Sequence, residues 1–286
     1  MLRKINLADP DNTDISFKVT PFPDGQQQVV LMESVSNCSI EIVSRLNNWR
    51  NLELITCTVA DLRRMGIKEI SLYAPYILGA RSDRKFEKGG NNYLKDVISP
   101  AVNILKLDKI TVLDPHSDCL EMGLDNLEIE NNVKFAGWAI QDIIKETILG
   151  GGKESDICVI SPDGGSRKKI YDTLQGIGFE GELILAEKHR DVKTGKLTGF
   201  TVPLTDAQKG KPLVIIDDIC DGGGTFIGEA EVADKNGHAA AKYLVCTHSI
   251  LSKGTADLTK HFDGMYTTNS YKDITDPFVK VLNIFT

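Results

Sequence analysis

The residues best suited to chemistry lie in one loop, residues 217–225, which reads Asp-Asp-Ile-Cys-Asp-Gly-Gly-Gly-Thr. Its glycines, Gly222, Gly223 and Gly224, can present consecutive backbone N–H groups because no Cβ stands in front of them. Helix-like sequence follows at once, and the first N–H groups and dipole of a helix favour an anion. The loop therefore suits a phosphate dianion, with the hydroxyl of Thr225 as a further donor.

Acidic residues flank these glycines. Asp217 and Asp218 directly follow the apolar run at residues 213–216, and Asp221 lies inside the loop. A carboxylate at a strand end accepts hydrogen bonds from sugar hydroxyls in dinucleotide sites. A glycine-rich turn that only lets a helix pack on its strand is the alternative, and three glycines alone leave the two interpretations even. The aspartates favour recognition of a ribose 5-phosphate.

A second candidate segment is basic. Arg81 and Arg84, with Ser82 and Asp83 between them, can each direct two N–H donors to phosphate oxygens, which a lysine cannot do. A solvated basic loop has the same composition, and Arg84 in particular fits that alternative. The segment indicates a site for a polyphosphate only in combination with other residues.

Further candidates follow other predicted strands. His116 and Asp163 lie in turns at strand ends and would hold Mg²⁺ directly or through water, although a structural histidine bonded to backbone is the alternative for His116. Lys188 and Arg190 precede residues 191–199, a polar stretch with glycines that is typical of a mobile flap or of an exposed hairpin. Closed over a phosphoryl group, such a pair would stabilise transition-state charge and exclude water.

The elements that must position these residues follow an α/β pattern. Short β-branched runs alternate with segments of helical period, as in parallel doubly wound sheets. We predict strands at residues 68–73, 109–113, 156–160, 182–185, 212–216 and 242–246, and helices at 51–65, 138–148 and 225–236. Because the pattern occurs on both sides of residue 132, we predict two domains, 1–131 and 132–286. Ligands gather at the carboxyl ends of such strands.

Composition limits the functional classes. The chain has 286 residues, of which 41% are hydrophobic and 26% charged, and a net charge of −7. This acidic balance argues against a nucleic-acid or anionic-membrane partner. No apolar run approaches a membrane span, no secretory signal is visible, and the six cysteines form no Cys-x-x-Cys pair. We therefore expect a cytoplasmic protein with reduced thiols.

Residues 214–225 resemble the phosphoribosyl pyrophosphate motif of type I phosphoribosyltransferases. Other segments resemble ribose-phosphate pyrophosphokinase, also called phosphoribosyl pyrophosphate synthetase, and they occur in that family's order. They are Phe22-Pro23-Asp24-Gly25, residues 80–85, Asp114-Pro115-His116, Ser161-Pro162-Asp163-Gly164-Gly165 and Lys188-His189-Arg190. Their joint occurrence is far more specific than any one of them.

The resemblance implies two phosphoribosyltransferase-like domains, each a mainly parallel sheet flanked by helices. It implies that the diphosphoryl group of ATP moves to the 1-hydroxyl of ribose 5-phosphate, with Mg²⁺, in a homo-oligomer. Lys188 and Arg190 would be catalytic, and His116 and Asp163 would bind metal. The ATP site would comprise Phe22, Asp24, Arg81, Ser82, Asp83, Arg84 and His116. Ribose 5-phosphate would be bound by Asp217, Asp218, Asp221, Gly222, Gly223, Gly224 and Thr225.

The sequence also departs from the family pattern, which indicates a divergent and compact member. Ser36 stands where arginine is usual, and Ser82 where glutamine is usual. Two other functions therefore stay open at this point. One is a phosphoribosyltransferase that consumes phosphoribosyl pyrophosphate, and the other is a non-catalytic regulatory homologue of the synthetase. Retention of Lys188, His116 and the glycine loop argues against the second.

Overall fold

The computed structural model describes residues 1–147, 152–190, 197–238 and 240–286, with the side chains of Arg190 and Leu197 left out. The chain forms two compact units: unit 1 comprises Met1–Glu130 with Asn283–Thr286, and unit 2 comprises Asn131–Leu282. Within the described ranges, no helix is both long and apolar enough to cross a membrane.

The last four residues belong to unit 1, whereas the sequence interpretation assigned them to the second domain. Phe285 explains this placement, because its side chain is only 1% exposed. Its carbonyl oxygen accepts a hydrogen bond from Asn6 Nδ2 at 2.7 Å, and its ring lies 5.0 Å from the guanidinium of Arg45. A buried aromatic residue thus anchors the chain end.

Unit 1 contains a five-stranded parallel sheet in the order β1-β4-β5-β6-β7. Its strands are β1 Leu2–Asn6, β4 Ser39–Val43, β5 Ile70–Tyr73, β6 Lys109–Leu113 and β7 Leu127–Glu130. Strands β2 Phe17–Pro21 and β3 Gln27–Leu31 form a separate antiparallel hairpin. Unit 1 also contains the helices α1 Trp49–Arg64 and α2 Ser99–Asn103. Helix α2 continues a π-helical turn, Leu94–Ile98, and a 3-10 helix follows at Asp118–Met122.

Helix α1 shows how local signals fix an element. The predicted apolar face of Leu52, Ile55, Val59 and Leu62 is buried against the sheet. The helix begins two residues earlier than predicted because the Asn48 side chain accepts a hydrogen bond from the backbone N–H of Asn51 at 2.9 Å.

Unit 2 contains a six-stranded parallel sheet in the order β15-β14-β13-β12-β8-β9. Its strands are β8 Cys158–Ser161, β9 Glu182–Leu185, β12 Leu213–Cys220, β13 Lys242–Ser249, β14 Gly264–Thr268 and β15 Val279–Leu282. The helices are α3 Val133–Thr147, α4 Arg167–Ile177 and α5 Gly224–Lys235. Strands β10 Glu187–Arg190 and β11 Leu197–Thr201 pair as an antiparallel hairpin.

Strand β12 is the central element of unit 2, with hydrophobic clusters on both faces of the sheet. The sequence placed its end at residue 216, but the strand continues to Cys220. The extension follows from pairing, since Asp217, Ile219 and Cys220 lie opposite Cys246, His248 and Ser249 of β13. Asp217 and Asp218 therefore lie inside the strand and not in the loop.

Candidate active site

The glycine loop connects β12 to α5 as the sequence predicted. Gly223 precedes the first residue of α5 with a left-handed φ of +75°. A Cβ at this position would also lie 2.9 Å from Leu258 Cδ2, so both conformation and space require glycine. A Cβ at Gly224 would meet no atom within 4 Å, which leaves the first turn of α5 accessible. The loop thus has the geometry of an anion site at a helix N-terminus.

The paired aspartates of β12 differ in their surroundings. Asp218 Oδ2 accepts a hydrogen bond from Lys169 Nζ at 3.0 Å, and its backbone N–H donates to Asp217 Oδ1 at 3.0 Å. Burial and the charge of Asp218 raise the pKa of Asp217 to about 7. The pair consequently combines one carboxylate compensated by lysine with one carboxyl group that is only partly ionised near neutral pH.

Asp163 lies in the turn between β8 and α4 and is held by three donors. Its Oδ1 accepts the backbone N–H groups of Gly165 and Ser166, both at 2.9 Å, and its Oδ2 accepts Lys188 Nζ at 2.7 Å. Burial disfavours the ionised form, but the hydrogen bond from Lys188 and those from the backbone outweigh it and lower the pKa of Asp163. This carboxylate is charged and fixed in position.

Lys188 lies in strand β10, so its ion pair with Asp163 joins the β10–β11 hairpin to the turn that follows β8. The charges of Lys188 and Asp163 both act on Asp217, which indicates that these residues share one site with the β12 aspartates. The predicted catalytic Arg190 ends β10, but its side chain lies outside the described residues. Of the predicted flap, residues 191–196 also lie outside them, and the described remainder belongs to β11.

In unit 1, Phe22 and Asp24 lie on the turn between β2 and β3. The backbone N–H of Phe22 donates to the carbonyl of Gln26 at 2.8 Å, and Asp24 Oδ1 accepts the N–H of Gln26 at 3.2 Å. The Phe22 side chain is 42% exposed. Phe22 is therefore partly open to solvent and only partly packed.

The structure also brings residues 81–84, called the arginine segment below, close to the turn that contains His116. Ser117 Oγ donates to Asp83 Oδ2 at 2.7 Å, which links the neighbour of His116 to the centre of the arginine segment. Arg81 and His116 are exposed, and the guanidinium of Arg84 lies 5.5 Å from the centre of the Phe86 ring. Several predicted ATP-site residues of unit 1 thus lie on neighbouring loops.

A preformed metal cage is absent from the described part of the chain, since no group there of three or more His, Cys, Asp or Glu side chains could hold a metal ion. Asp163 offers a charged carboxylate whose Oδ2 accepts a hydrogen bond from the Lys188 ammonium. Mg²⁺ commonly keeps several waters and binds through one or two carboxylates together with substrate phosphates. The donor set fits an ion that arrives with phosphates, and metal binding by His116 and Asp163 stays a prediction.

Two residues of this site were missed in the sequence. Lys169 on α4 pairs with Asp218, and Glu229 on α5 is fully buried. Lys169 lay in a run of basic residues that is ordinarily solvated, and α4 itself was not predicted. Glu229 carried a usable signal, because it stands between the small residues Gly228 and Ala230, a pattern typical of a buried helix face.

Unit 2 has the phosphoribosyltransferase type of α/β fold, with a parallel sheet and an acidic central strand that leads into a glycine loop at the start of a helix. No family model matches the chain. A ribose-phosphate pyrophosphokinase of Sulfurisphaera tokodaii is 28% identical over 235 residues, which cover 80% of this chain and 75% of the relative. The enzyme of that name from Methanopyrus kandleri is 26% identical over 268 residues, covering 91% and 84%.

The fold agrees with a solved structure along almost the whole chain. The phosphoribosylpyrophosphate synthetase from Mycobacterium smegmatis superposes with a TM-score of 0.80 at 21% identity, covering 99% of this chain and 95% of that one. Over most of its length, the chain is similar to proteins named ribose-phosphate pyrophosphokinase. The predicted resemblance and fold class are thereby confirmed.

Proposed function

We propose that this chain is a ribose-phosphate diphosphokinase, which converts ATP and ribose 5-phosphate to phosphoribosyl pyrophosphate and AMP. The observation that carries the proposal is the arrangement in unit 2, where a glycine loop at a helix start, the aspartate pair of β12 and the Lys188–Asp163 pair occur in a chain similar to ribose-phosphate pyrophosphokinases. Consumption of phosphoribosyl pyrophosphate by a transferase would leave the arginine segment and His116 of unit 1 without a role.

For ribose 5-phosphate, we assign the 5-phosphate to the loop of Gly222, Gly223, Gly224 and Thr225, with Asp221 beside it. Backbone N–H groups at the start of α5 would donate to the phosphate oxygens. Asp217 and Asp218 would accept hydrogen bonds from the 2- and 3-hydroxyls of the ribose. Lys169 holds Asp218 in position, and the proton held by Asp217 limits repulsion within the pair.

In the transfer step, the 1-hydroxyl oxygen of the ribose forms a bond to the β-phosphorus of ATP. The bond from that phosphorus to the oxygen bridging the α- and β-phosphates breaks, AMP leaves with this oxygen, and the hydroxyl proton passes to solvent. Lys188 and Arg190 would stabilise the charge that develops on the moving group. The hydrogen bond from Lys188 Nζ to Asp163 Oδ2 at 2.7 Å supports this role for Lys188.

At the nucleotide end, we assign ATP binding to unit 1. Phe22 would stack on the adenine, with Asp24 next to it, and Arg81 and Arg84 would contact phosphate oxygens alongside Ser82 and Asp83. His116 and Asp163 would hold Mg²⁺, which supplies compensation of the phosphate charge when bound. We also propose a homo-oligomer in the cytoplasm, as the family resemblance implies.

Incubation of the purified protein with ATP, Mg²⁺ and ribose 5-phosphate tests the function, with AMP and phosphoribosyl pyrophosphate measured by chromatography. We expect equal amounts of both products, and no AMP when ribose 5-phosphate is omitted. Folded protein that forms no AMP would overturn the proposal. A parallel incubation with phosphoribosyl pyrophosphate and a free base would detect the transferase alternative through pyrophosphate release.

A further inference from the structure

A buried carboxyl group on α5 has no role in the reaction described above. Glu229 is 0% exposed, and neither of its carboxyl oxygens has a hydrogen-bond partner among the described residues. Burial of a polar group without a partner costs free energy, so a carboxyl group of this kind calls for an explanation in the function of the protein or in a partner that binds it.

The β10–β11 hairpin lies against α5 at this residue. A Cβ on Gly228 would be 2.1 Å from Phe200 Cε2, so the ring of Phe200 packs on the helix directly beside Glu229. Lys188 lies opposite Phe200 in the hairpin. Because directly opposed residues of an antiparallel pair have their side chains on the same face, Lys188 lies on the face that is turned to α5.

The electrostatics agree with this packing. Burial raises the pKa of Glu229 to about 9, the charge of Lys188 opposes part of that rise, and the charges of Asp217 and Asp163 add to it. Glu229 is therefore within the electrostatic reach of the Lys188 ammonium, which in this structure donates to Asp163 at 2.7 Å.

We propose that Glu229 is a positioning residue for Lys188 and provides the second carboxyl group to which its ammonium can donate. The inference rests on the proposed function. When substrate phosphates and their cation take up Asp163, the ammonium turns to Glu229 and donates one N–H to it. The ammonium has three N–H donors, so two remain for the diphosphoryl group. Glu229 thus orients Lys188 without contact to the substrate.

The test compares Glu229→Leu, which removes the acceptor at similar volume, with Glu229→Gln, which keeps a carbonyl acceptor. We expect kcat for AMP formation to fall about 10- to 100-fold in the leucine variant, with the KM for ribose 5-phosphate within about threefold of wild type. The glutamine variant retains more of kcat. Glu231→Leu is the matched control, because Glu231 lies on the same helix but is half-exposed and pairs with Lys235, and it leaves kcat unchanged.

A double-mutant cycle with Lys188→Ala separates positioning from structural damage. If Glu229 acts through Lys188, Glu229→Leu causes no further loss of kcat in the Lys188→Ala background. Losses that multiply, or a leucine variant with wild-type kcat, overturn the role of Glu229. Wild-type protein that forms no AMP overturns the proposed function instead.

Thermal unfolding without ligands gives a readout that does not depend on turnover. We expect Glu229→Leu to unfold at a higher Tm than wild type, since it replaces a buried carboxyl group that has no partner among the described residues. We expect Mg²⁺ with inorganic phosphate to raise the Tm of wild type more than that of the variant. Equal ligand-induced shifts would contradict the coupling between Asp163, Lys188 and Glu229.

Discussion

The charged residues of the unit 2 site hold one another, whereas the predicted ATP-site residues of unit 1 are mostly at the surface. Lys188 and Asp163 lie 2.7 Å apart with side chains 18% and 33% exposed, and Lys169 pairs with the buried Asp218. In unit 1 the Arg84 side chain is 78% exposed, and Phe22 also faces solvent. From this difference we expect the proposed ribose 5-phosphate site to be organised before substrates bind, and the proposed nucleotide contacts to form only when ATP is present.

The largest effect is expected from Lys188→Ala. Loss of a positioned cation at the transferring group should lower kcat for AMP formation about 1,000-fold, while the KM for ribose 5-phosphate changes little because the glycine loop is intact. Steady-state kinetics measure both parameters. Lys209→Ala, which removes a half-exposed lysine that pairs with the exposed Asp206, serves as control. A loss below about tenfold would contradict the catalytic role.

Gly223→Ala tests whether the glycine loop is preformed in the absence of phosphate. Alanine would be strained at φ +75° and would approach Leu258, so we expect about 1–2 kcal/mol lower stability and a roughly tenfold or greater rise in the KM for ribose 5-phosphate. Urea unfolding and kinetics measure the two effects. Gly210→Ala adds a Cβ in open space and should change neither.

Asp217 should make the stability of the ligand-free protein fall as pH rises. Burial and Asp218 raise its folded-state pKa to about 7, whereas the unfolded-state value is about 3.9. The folded state binds this proton more tightly, so its stabilising effect is complete below the lower value and is lost as pH rises towards the higher one. Relative to Asp217→Asn, we expect wild type to lose about 1 kcal/mol or more between about pH 5 and 7.

Urea unfolding at several pH values measures that difference. Asp206→Asn is the control, because Asp206 is exposed and its pKa is lowered by Lys209, so it should not reproduce the flatter pH dependence of Asp217→Asn. Parallel curves for wild type and Asp217→Asn would show that Asp217 is ionised throughout this range.

The smallest effect is expected from Arg84→Ala. Its guanidinium is exposed and contacts the ring of Phe86, so we expect the KM for ATP to rise less than about threefold. Arg81→Ala is the informative comparison, and we expect the larger rise there. If Arg84→Ala lowered the rate of AMP formation as much as Lys188→Ala does, the proposed difference between the two units would be wrong.

Much of the fold and of the candidate site was predictable, because the relevant signals are local. Alternating apolar runs predicted β6, β9 and most of β12 and β13, and the glycine loop was placed correctly before α5. Strands β1, β4, β7, β14 and β15 of the two sheets were not predicted, because pairing between segments distant in the sequence defines them. Prediction of the end of β12 was wrong for the same reason, since β13 extends it to Cys220.

The sequence by itself determined the left-handed conformation that only glycine adopts readily at Gly223. It also determined the aspartate pair before the glycine loop and the order of the segments that resemble the family. All of these depend on residue type and close spacing. Only the tertiary structure decided which lysine forms an ion pair with each aspartate. Lys188 and Asp163 are 25 residues apart, and Lys169 and Asp218 are 49 apart. Such pairings are made by the packing of distant elements, as is the burial of Glu229 beneath the hairpin. Charge partners in a folded core follow from topology, which local sequence signals do not contain.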